Sequence, residues 1–326
     1  MFRSINKKYY NRMNIYLLIS VLVISFLVLS TNCVAKDVFL RIGTAGMGGA
    51  YYPVGGGMAE VLTKYLPGVY CTAEVTGGAL ENPRLVAAGE LEMGFTNADL
   101  LYYAYEGKKP FNEKYPLAAL LEFGPSIIHI CTLDLKIKTI ADLKGKRVAI
   151  GPAGGSLASM FGLYITYYGF NIDDVSPSYV SQSEGMSLLI DGSVDAAIGQ
   201  GAPPIASVLE LSSRRPNFRI LEFEESKLIN ILKDNPYFSK FVIPAGLYNG
   251  VPDKDTQVIK VGNFLFAGQD MDDDLAYNIV KTLYENIDFL HQVHPSCKYI
   301  PMETRPASPI PLHPGAERFY QEKGFK

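Results

Sequence analysis

The feature that most constrains this fold is a unit that occurs twice: a short apolar strand runs into a glycine-rich turn, and helical spacing begins at once. The first copy is a strand from Val38 to Ile42, a turn from Gly43 to Tyr52, and a helix opened by Pro53 that runs to about Tyr65. Proline suits a first helical turn because its missing N–H would have no partner there. The second copy is a strand from Arg147 to Ile150, a turn from Gly151 to Ser156, and a helix from Leu157 to Tyr168 that stops at Gly169. Gly43-Thr44-Ala45-Gly46-Met47-Gly48 and Gly151-Pro152-Ala153-Gly154-Gly155-Ser156 form a weak internal echo. Strands alternating with helices build a parallel sheet with helices on both faces, so the expected class is α/β.

The rest of the chain extends this pattern. A strand from Tyr70 to Val75 ends at Thr76-Gly77-Gly78, a helix follows from about Glu81 to Ala88 with Gly89 as its stop, and Met93 to Phe95 reads as a short buried strand. Ile127 to Leu133 and Gln257 to Phe266 are apolar strands placed where a chain crosses between two lobes, and two crossings make a hinge. The acids Asp270, Asp272, Asp273 and Asp274 precede helical spacing in Leu275, Ile279, Leu283, Ile287 and Leu290. Acids there complement the positive end of a helix dipole and need no metal to explain them. Pro295 to Pro314 carries six prolines and should form an irregular strap before a last helix from Pro314 to Lys323.

Charge and the N-terminus limit the partners. Lys and Arg number 30 against 33 Asp and Glu, so the basic surplus that nucleic-acid binding needs is missing. Arg3, Lys7, Lys8 and Arg12 precede an apolar run from Ile15 to Leu29 and then Cys33-Val34-Ala35, the pattern of a cleaved export signal. About 15 apolar residues fall short of the roughly 20 that span a bilayer. Lipidation at Cys33 is the minor alternative, because Ser30-Thr31-Asn32 matches the usual preceding run poorly. Loss of residues 1–35 would leave 26 cations against 33 acids, a net charge of −7. Cys71, Cys131 and Cys297 cannot all pair internally and read as buried thiols.

Enzymatic readings fit less well than binding. Counted from Gly46, a dinucleotide fingerprint would put its third glycine on Tyr51, whose bulk blocks close helix approach. Gly154-Gly155-Ser156-Leu157-Ala158 resembles a hydrolase nucleophile elbow, but there is no oxyanion segment upstream, and only His291, His294 and His313 follow as bases. His291, His294 and Cys297 have zinc-like spacing that Pro295 interrupts, with no fourth ligand. His129 in an apolar strand reads as a satisfied core histidine near the hinge.

Three helices begin just after glycine-rich turns, at Gly43 to Tyr52, Thr76 to Asn82 and Gly151 to Ser156. Their free N–H groups and dipole ends favour a small anion. Hydroxyls of Thr44, Thr76 and Ser156 and amides of Asn82 and Asn97 could add polar contacts. Glu81 either faces a ligand amine or serves as a first-turn acid. Tyr51 and Tyr52 would wall the ligand, with one of the two turned into the core because adjacent helical residues face different ways.

Four segments together resemble the TAXI family: Gly43-Thr44-Ala45-Gly46-Met47-Gly48-Gly49-Ala50-Tyr51-Tyr52-Pro53, Glu74-Val75-Thr76-Gly77-Gly78-Ala79-Leu80-Glu81-Asn82, Asp142-Leu143-Lys144-Gly145-Lys146-Arg147-Val148 and Pro311-Leu312-His313-Pro314-Gly315-Ala316. TAXI proteins are the substrate-binding components of tripartite ATP-independent periplasmic (TRAP) transporters. The resemblance implies a type II periplasmic-binding-protein fold, with two α/β lobes joined by a two-crossing hinge. Residues 1–35 would be a signal peptide, 36–128 plus 258–326 lobe 1, and 129–257 lobe 2. The implied role is that of a periplasmic receptor with no cofactor, catalytic residue or metal. It would bind a small carboxylate, a glutamate-like amino acid or a dicarboxylate, and deliver it to integral-membrane subunits of a TRAP transporter. The implied pocket holds Thr44, Ala45, Gly46, Tyr51 or Tyr52, Thr76, Gly78, Glu81, Asn82, Gly155, Ser156 and the turn around Gln200, Gly201 and Pro203. Asn97 stands where the family often has Gln, and Leu157 where a small hydroxyl residue is common; both departures bear on ligand identity. The alternatives are a secreted serine hydrolase using Ser156 and a periplasmic ligand-sensing module.

Overall fold

The computed structural model describes residues 37–47, 49–153 and 155–326. The expected signal peptide, with Cys33 and Ala35, lies outside the described residues, as do Gly48 and Gly154. From Val38 to Lys326 the chain clusters as one unit built on a single ten-stranded sheet.

The internal echo proves to be topological. Strands β1 (Val38–Gly43), β2 (Val69–Glu74) and β3 (Met93–Asn97) are parallel in the order β2-β1-β3, linked by helices α1 (Tyr51–Tyr65) and α2 (Asn82–Ala87). Helix α3 (Ala98–Glu106) leaves the end of β3. In the other half, β5 (Arg147–Ala149), β6 (Ser176–Ser178) and β7 (Ala196–Gly201) are parallel in the order β6-β5-β7, linked by α4 (Ser156–Thr166) and α5 (Gln182–Ile190). Each half is completed by an antiparallel strand: β10 (Thr256–Gly268) against β3, and β4 (Leu117–Thr132) against β7.

Local sequence explains these elements. Val54, Met58, Val61 and Leu62 bury one stripe of α1 at three- and four-residue spacing. All five residues of β3 are buried, as befits a strand covered on both faces. Helix α1 begins at Tyr51, two residues before the proline expected to open it; Pro53 still lies in the first turn, where no N–H is missed. The helical spacing from Leu275 to Leu290 is divided into α8 (Asp273–Glu285) and α9 (Ile287–Val293). The break is at Asn286, whose side chain donates to the Thr282 carbonyl at 2.9 Å. Asp272 accepts from the Leu275 N–H at 2.9 Å, so the acidic run begins a helix as read. The last helix, α10 (Pro314–Glu322), is capped by His313, whose Nδ1 accepts from the Gly315 N–H at 3.3 Å.

The two crossing strands are longer than expected. β4 runs for 16 residues and β10 for 13, against a usual five or six. They pair with each other from Leu117–Gly268 to Ile127–Lys260. Beyond that stretch β4 turns to β7, and β10 turns to β9 (Phe238–Ile243). A short strand, β8 (Arg219–Ile220), pairs with the end of β4. Local periodicity misjudged β4 because Gly124-Pro125 looks like a break. The register shifts there instead, pairing Phe123 with Asn263 and Pro125 with Gly262, so Gly124 is the extra residue of a bulge. Its φ of +43° and the Ser296 Cβ atom only 2.6 Å from where a side chain would start admit nothing but glycine. Pro125 is tolerated because a bulge needs no ladder N–H at that point.

Two helices not singled out in the sequence complete the second half: α6 (Ala206–Arg214) and α7 (Glu225–Asp234). Their apolar stripes, Val208 with Leu211 and Leu228 with Ile231, are buried in the core of that half.

Candidate ligand-binding site

Both sets of parallel strands end on the same feature. In open α/β sheets, ligands bind beyond the carboxyl ends of the strands, where helix N-termini gather. Here those ends are Gly43, Glu74 and Asn97 in one half and Ala149, Ser178 and Gly201 in the other. Asn97 pairs with Asn263 of β10, and Gly201 pairs through Ile127 of β4 with Lys260. The two ends are thus offset by three residues of one strand, about 10 Å at the strand rise. The N-caps of α1, α3 and α4, namely Ala50, Asn97 and Gly155, make no side-chain hydrogen bond to the first turn of their helices. In α1 and α4 the backbone N–H groups there have no capping side chain, whereas at the start of α3 the Asp99 carboxyl takes the Asp99 and Leu100 N–H groups.

The first wall is built by side chains that grip backbone. Asn82, fully buried, places Nδ2 3.0, 2.8 and 2.7 Å from the carbonyls of Gly43, Thr44 and Phe95. It therefore ties the turns after β1 and β2 to β3. The Thr76 hydroxyl lies 2.6 Å from Asn82 Oδ1 and 2.9 Å from the Thr44 carbonyl, and it accepts from the Gly78 N–H at 3.0 Å. Thr44 is also fully buried and donates to the Glu74 carbonyl at 2.7 Å. The Glu81 carboxylate accepts from the Gly77 N–H, closing the turn as a local acid. Gly78 has φ +88° and lies against Ala45, a conformation that a side chain would strain. Gly46 is exposed, and its carbonyl accepts from the Gly49 N–H at 3.3 Å.

The second wall is lighter. The Ser156 hydroxyl donates to Gln200 Oε1 at 3.4 Å, and Gln200 Nε2 lies 3.2 Å from the Met160 sulfur. The Gln200 N–H donates to Gln182 Oε1 at 2.8 Å, so Gln182 seats the end of β7. Gly201 is half-buried and Pro203 buried. The loop they start is held from behind by His129. The Tyr248 hydroxyl lies 2.8 Å from His129 Nε2 and accepts from the Ile205 N–H at 3.1 Å, while His129 Nδ1 is 3.0 Å from the Ile127 carbonyl. Burial lowers His129 to about 4, so the imidazole is neutral. The histidine is satisfied and fully buried, as read from its apolar setting.

Between the walls lies a polar knot on the crossing strands. Asn263 Oδ1 receives the Tyr51 hydroxyl at 2.8 Å, Asn97 Nδ2 at 2.7 Å and the Ser126 hydroxyl at 3.0 Å. Tyr51 is the tyrosine that turns inward, against Phe95 and Phe123, while Tyr52 is exposed. Burial raises the Tyr51 phenol well above its usual range, and the charge of Asp99 adds to this. Asp99, in the first turn of α3, is itself buried, and desolvation pushes its carboxyl up to about 6. Sequence reasoning passed over Asp99, Ser126 and Asn263. The available signal was an acid at the strand-to-helix junction Asn97-Ala98-Asp99, on the apolar side of α3.

The hydrolase alternative and the zinc-like spacing rest on Ser156, the histidines and the cysteines. Ser156 contacts an amide and has no imidazole partner among the described residues, while His294 and His313 cap helical turns through Nδ1. Among the described residues no group of three or more His, Cys, Asp and Glu is arranged to hold a metal. Cys71, Cys131 and Cys297 are buried and unpaired; burial holds Cys71 and Cys297 up to about 12. No described helix is long and apolar enough to cross a membrane.

The profile of the NMT1-like family matches residues 42–324. Among solved structures, PhnD1 of Prochlorococcus marinus, described in complex with methylphosphonate, is 12% identical; the match covers 89% of this chain and 99% of that one at a TM-score of 0.52. A protein of Bordetella bronchiseptica RB50 is 13% identical over 88% of this chain and 82% of its own, with a TM-score of 0.50. The periplasmic aliphatic sulphonate binding protein SsuA of Escherichia coli is 16% identical over 79% of each chain, with a TM-score of 0.48. At such identities the likeness is one of fold: this chain has the α/β fold of periplasmic binding proteins.

Proposed function

This chain belongs to the NMT1-like family, and from that premise we propose that it is an exported solute receptor that closes two lobes around a small carboxylate. The observation that carries the reading is that both sets of strand ends face the β4–β10 crossing, offset by about 10 Å along the strands, with N-termini of α1 and α4 that lack a capping side chain on either side of it. Peptide N–H groups converging from two sides suit an anion. The proposed lobes are 36–128 with 258–326, and 129–257, hinged where β4 and β10 cross. The proposed contacts are the backbone and side chains of the turns at Thr44 to Gly46, Thr76 to Asn82, Gly155 to Ser156 and Gln200 to Pro203, with Tyr51 and Asn97 beneath. The TAXI-like motifs support delivery to a TRAP-type membrane partner.

Affinity arithmetic is compatible. A micromolar constant corresponds to about −8 kcal/mol. Over roughly ten ligand atoms this is about −0.8 kcal/mol each, below the ceiling of about −1.5. Such efficiency requires near-complete enclosure, so lobe closure belongs to the affinity itself.

A thermal-shift screen of dicarboxylates and amino acids tests the reading. A ligand at a hundredfold its Kd should add about 2.7 kcal/mol, which raises Tm by roughly 5 °C in a chain of this size. Because the structural neighbour PhnD1 is described with methylphosphonate, phosphonates and sulfonates form the second arm. A response in that arm alone would replace carboxylate by another anion, and silence in both would overturn the receptor reading.

A further inference from the structure

We infer that the hydroxyl bond between Tyr103 and Tyr237 is a brace that holds the two lobes apart, so that closure on a ligand works against it. This rests on the lobes and hinge of the receptor reading above and adds what sets their resting angle.

The joint between the lobes is narrow. β3 and β9 lie end to end along one edge of β10: Asn97 pairs with Asn263 and Phe238 with Val261, while Gly262 between them has Pro125 of β4 as its partner. On the other edge, Leu312 meets β4 at Ala119 and Gly201 of β7 meets it at Ile127. The crossing is thus two strands wide around the Gly124 bulge, and a two-stranded ribbon twists more freely than a wider sheet. The angle between the lobes is then set by what bridges the gaps beside the ribbon.

Two side-chain hydrogen bonds among the described residues cross those gaps. The Tyr299 hydroxyl, from the proline-rich strap, donates to the Pro203 carbonyl at 3.5 Å, too long to hold an angle. The other is built on a fixed base in lobe 2. Asn235, 5% exposed, donates Nδ2 to the Ile231 carbonyl at 2.8 Å and through Oδ1 accepts the Tyr237 hydroxyl at 2.8 Å. A phenol has one hydrogen to give. Tyr237 therefore accepts from the Tyr103 hydroxyl, which comes from α3 in lobe 1. The rings of Tyr102 and Tyr103 lie 5.5 and 5.6 Å from that of Tyr237 and seat it from the same side. This bond belongs to an arrangement in which, among the described residues, the turns at 44–46 and 76–82 make no hydrogen bond to those at 155–156 and 200–203. Hydrogen bonds weaken steeply with distance and angle. Rotation at the ribbon moves α3 against β9, so bringing the two walls together stretches the Tyr103–Tyr237 bond.

The test is the distance between spin labels at Met47→Cys and Tyr179→Cys, exposed residues beyond β1 and β6 on the two walls, in the ligand-free mature protein. The native Cys71, Cys131 and Cys297 are buried and stay unlabelled. Tyr103→Phe should move the distribution to shorter distances. In titrations of the unlabelled protein with L-glutamate and with succinate, the same variant should bind tighter by roughly two- to tenfold, the factor one net hydrogen bond supplies, although the free protein melts lower. Tyr102→Phe is the control. Its hydroxyl lies 3.1 Å from Lys108 Nζ in the same lobe, so distances and affinities should match those of the unaltered protein. Unchanged or longer distances in Tyr103→Phe, or weaker binding, overturn the inference, and so does an equal shift in Tyr102→Phe. If neither acid binds, the receptor reading loses its carboxylate while the label distances still decide this inference. Tyr237→Phe removes the same bond from the other side and decides the matter where Tyr103→Phe does not fold.

Discussion

The turn after β1 and the turn after β5 occupy equivalent places in the two halves of the sheet, and they are held in different ways. The first is gripped by Asn82, Thr76 and Thr44, buried or half-buried side chains bonded to backbone on three neighbouring strands or turns. The second rests on the Gly155 N–H donating to the Pro152 carbonyl at 3.0 Å and on a Ser156–Gln200 contact between two half-buried side chains. Topology alone would make the two walls alike. The first turn is thus fixed by buried side-chain bonds to backbone, and the second, among the described residues, by lighter contacts.

The sharpest way to break this contrast is Asn82→Ala. It removes the amide donor shared by the Gly43, Thr44 and Phe95 carbonyls, of which only Thr44's keeps the Thr76 hydroxyl, and should cost about 3 kcal/mol in a denaturant melt. Gln200→Ala should cost under about 1 kcal/mol, since its contacts are long and half-buried. Equal losses would end the distinction between the walls.

The next largest effect concerns pH. His129 sits at about 4 when folded against 6.5 unfolded, so the unfolded chain binds more protons between those values. Stability from this group is complete above about pH 6.5 and falls as pH drops toward 4, by up to roughly 3 kcal/mol at 1.36 kcal/mol per unit. Asp99 works in the opposite sense. Its carboxyl is at about 6 folded against 3.8 unfolded, so it costs stability as pH rises through that window. The two partly cancel between pH 4 and 6. His129→Gln should therefore leave a curve that declines more with rising pH than the unaltered protein's, and Asp99→Asn one that rises more. Superimposable curves would show that neither group titrates as its burial requires.

The smallest expected effect is that of Ser156→Ala. Its hydroxyl makes one contact at 3.4 Å, so stability should change by about 0.5 kcal/mol or less. Any ester hydrolysis by the unaltered protein that this variant abolishes would revive the nucleophile.

The reading of particular residues shows where sequence is informative. The two strand–turn–helix copies, the acids opening α8 and the satisfied His129 were all legible, because each follows from local spacing, dipole chemistry or apolar setting. Of the polar residues chosen for the site, Thr44, Thr76 and Asn82 have side chains committed to the backbone of the turns they stand in. A glycine-rich turn signals that backbone must come close to something; whether that something is a ligand or the neighbouring strand is not a local property. Asp99, Asn263 and Ser126 escaped notice for the complementary reason. Ser126 and Asn263 lie on two strands far apart in the chain and meet each other and Asn97 only because β10 inserts between β3 and β4, and Asp99 is buried only by the packing of α3.

The chain's own order of residues determined the α/β class, the repeated unit and the places where helices start, since hydrophobic period and turn chemistry act over a few residues. Only the tertiary structure decided that β4 runs on through a glycine bulge beside β10, and which polar groups spend their hydrogen bonds on backbone. Those outcomes depend on strand pairing and on burial from all sides, and desolvation is a property of the assembled surroundings rather than of any segment.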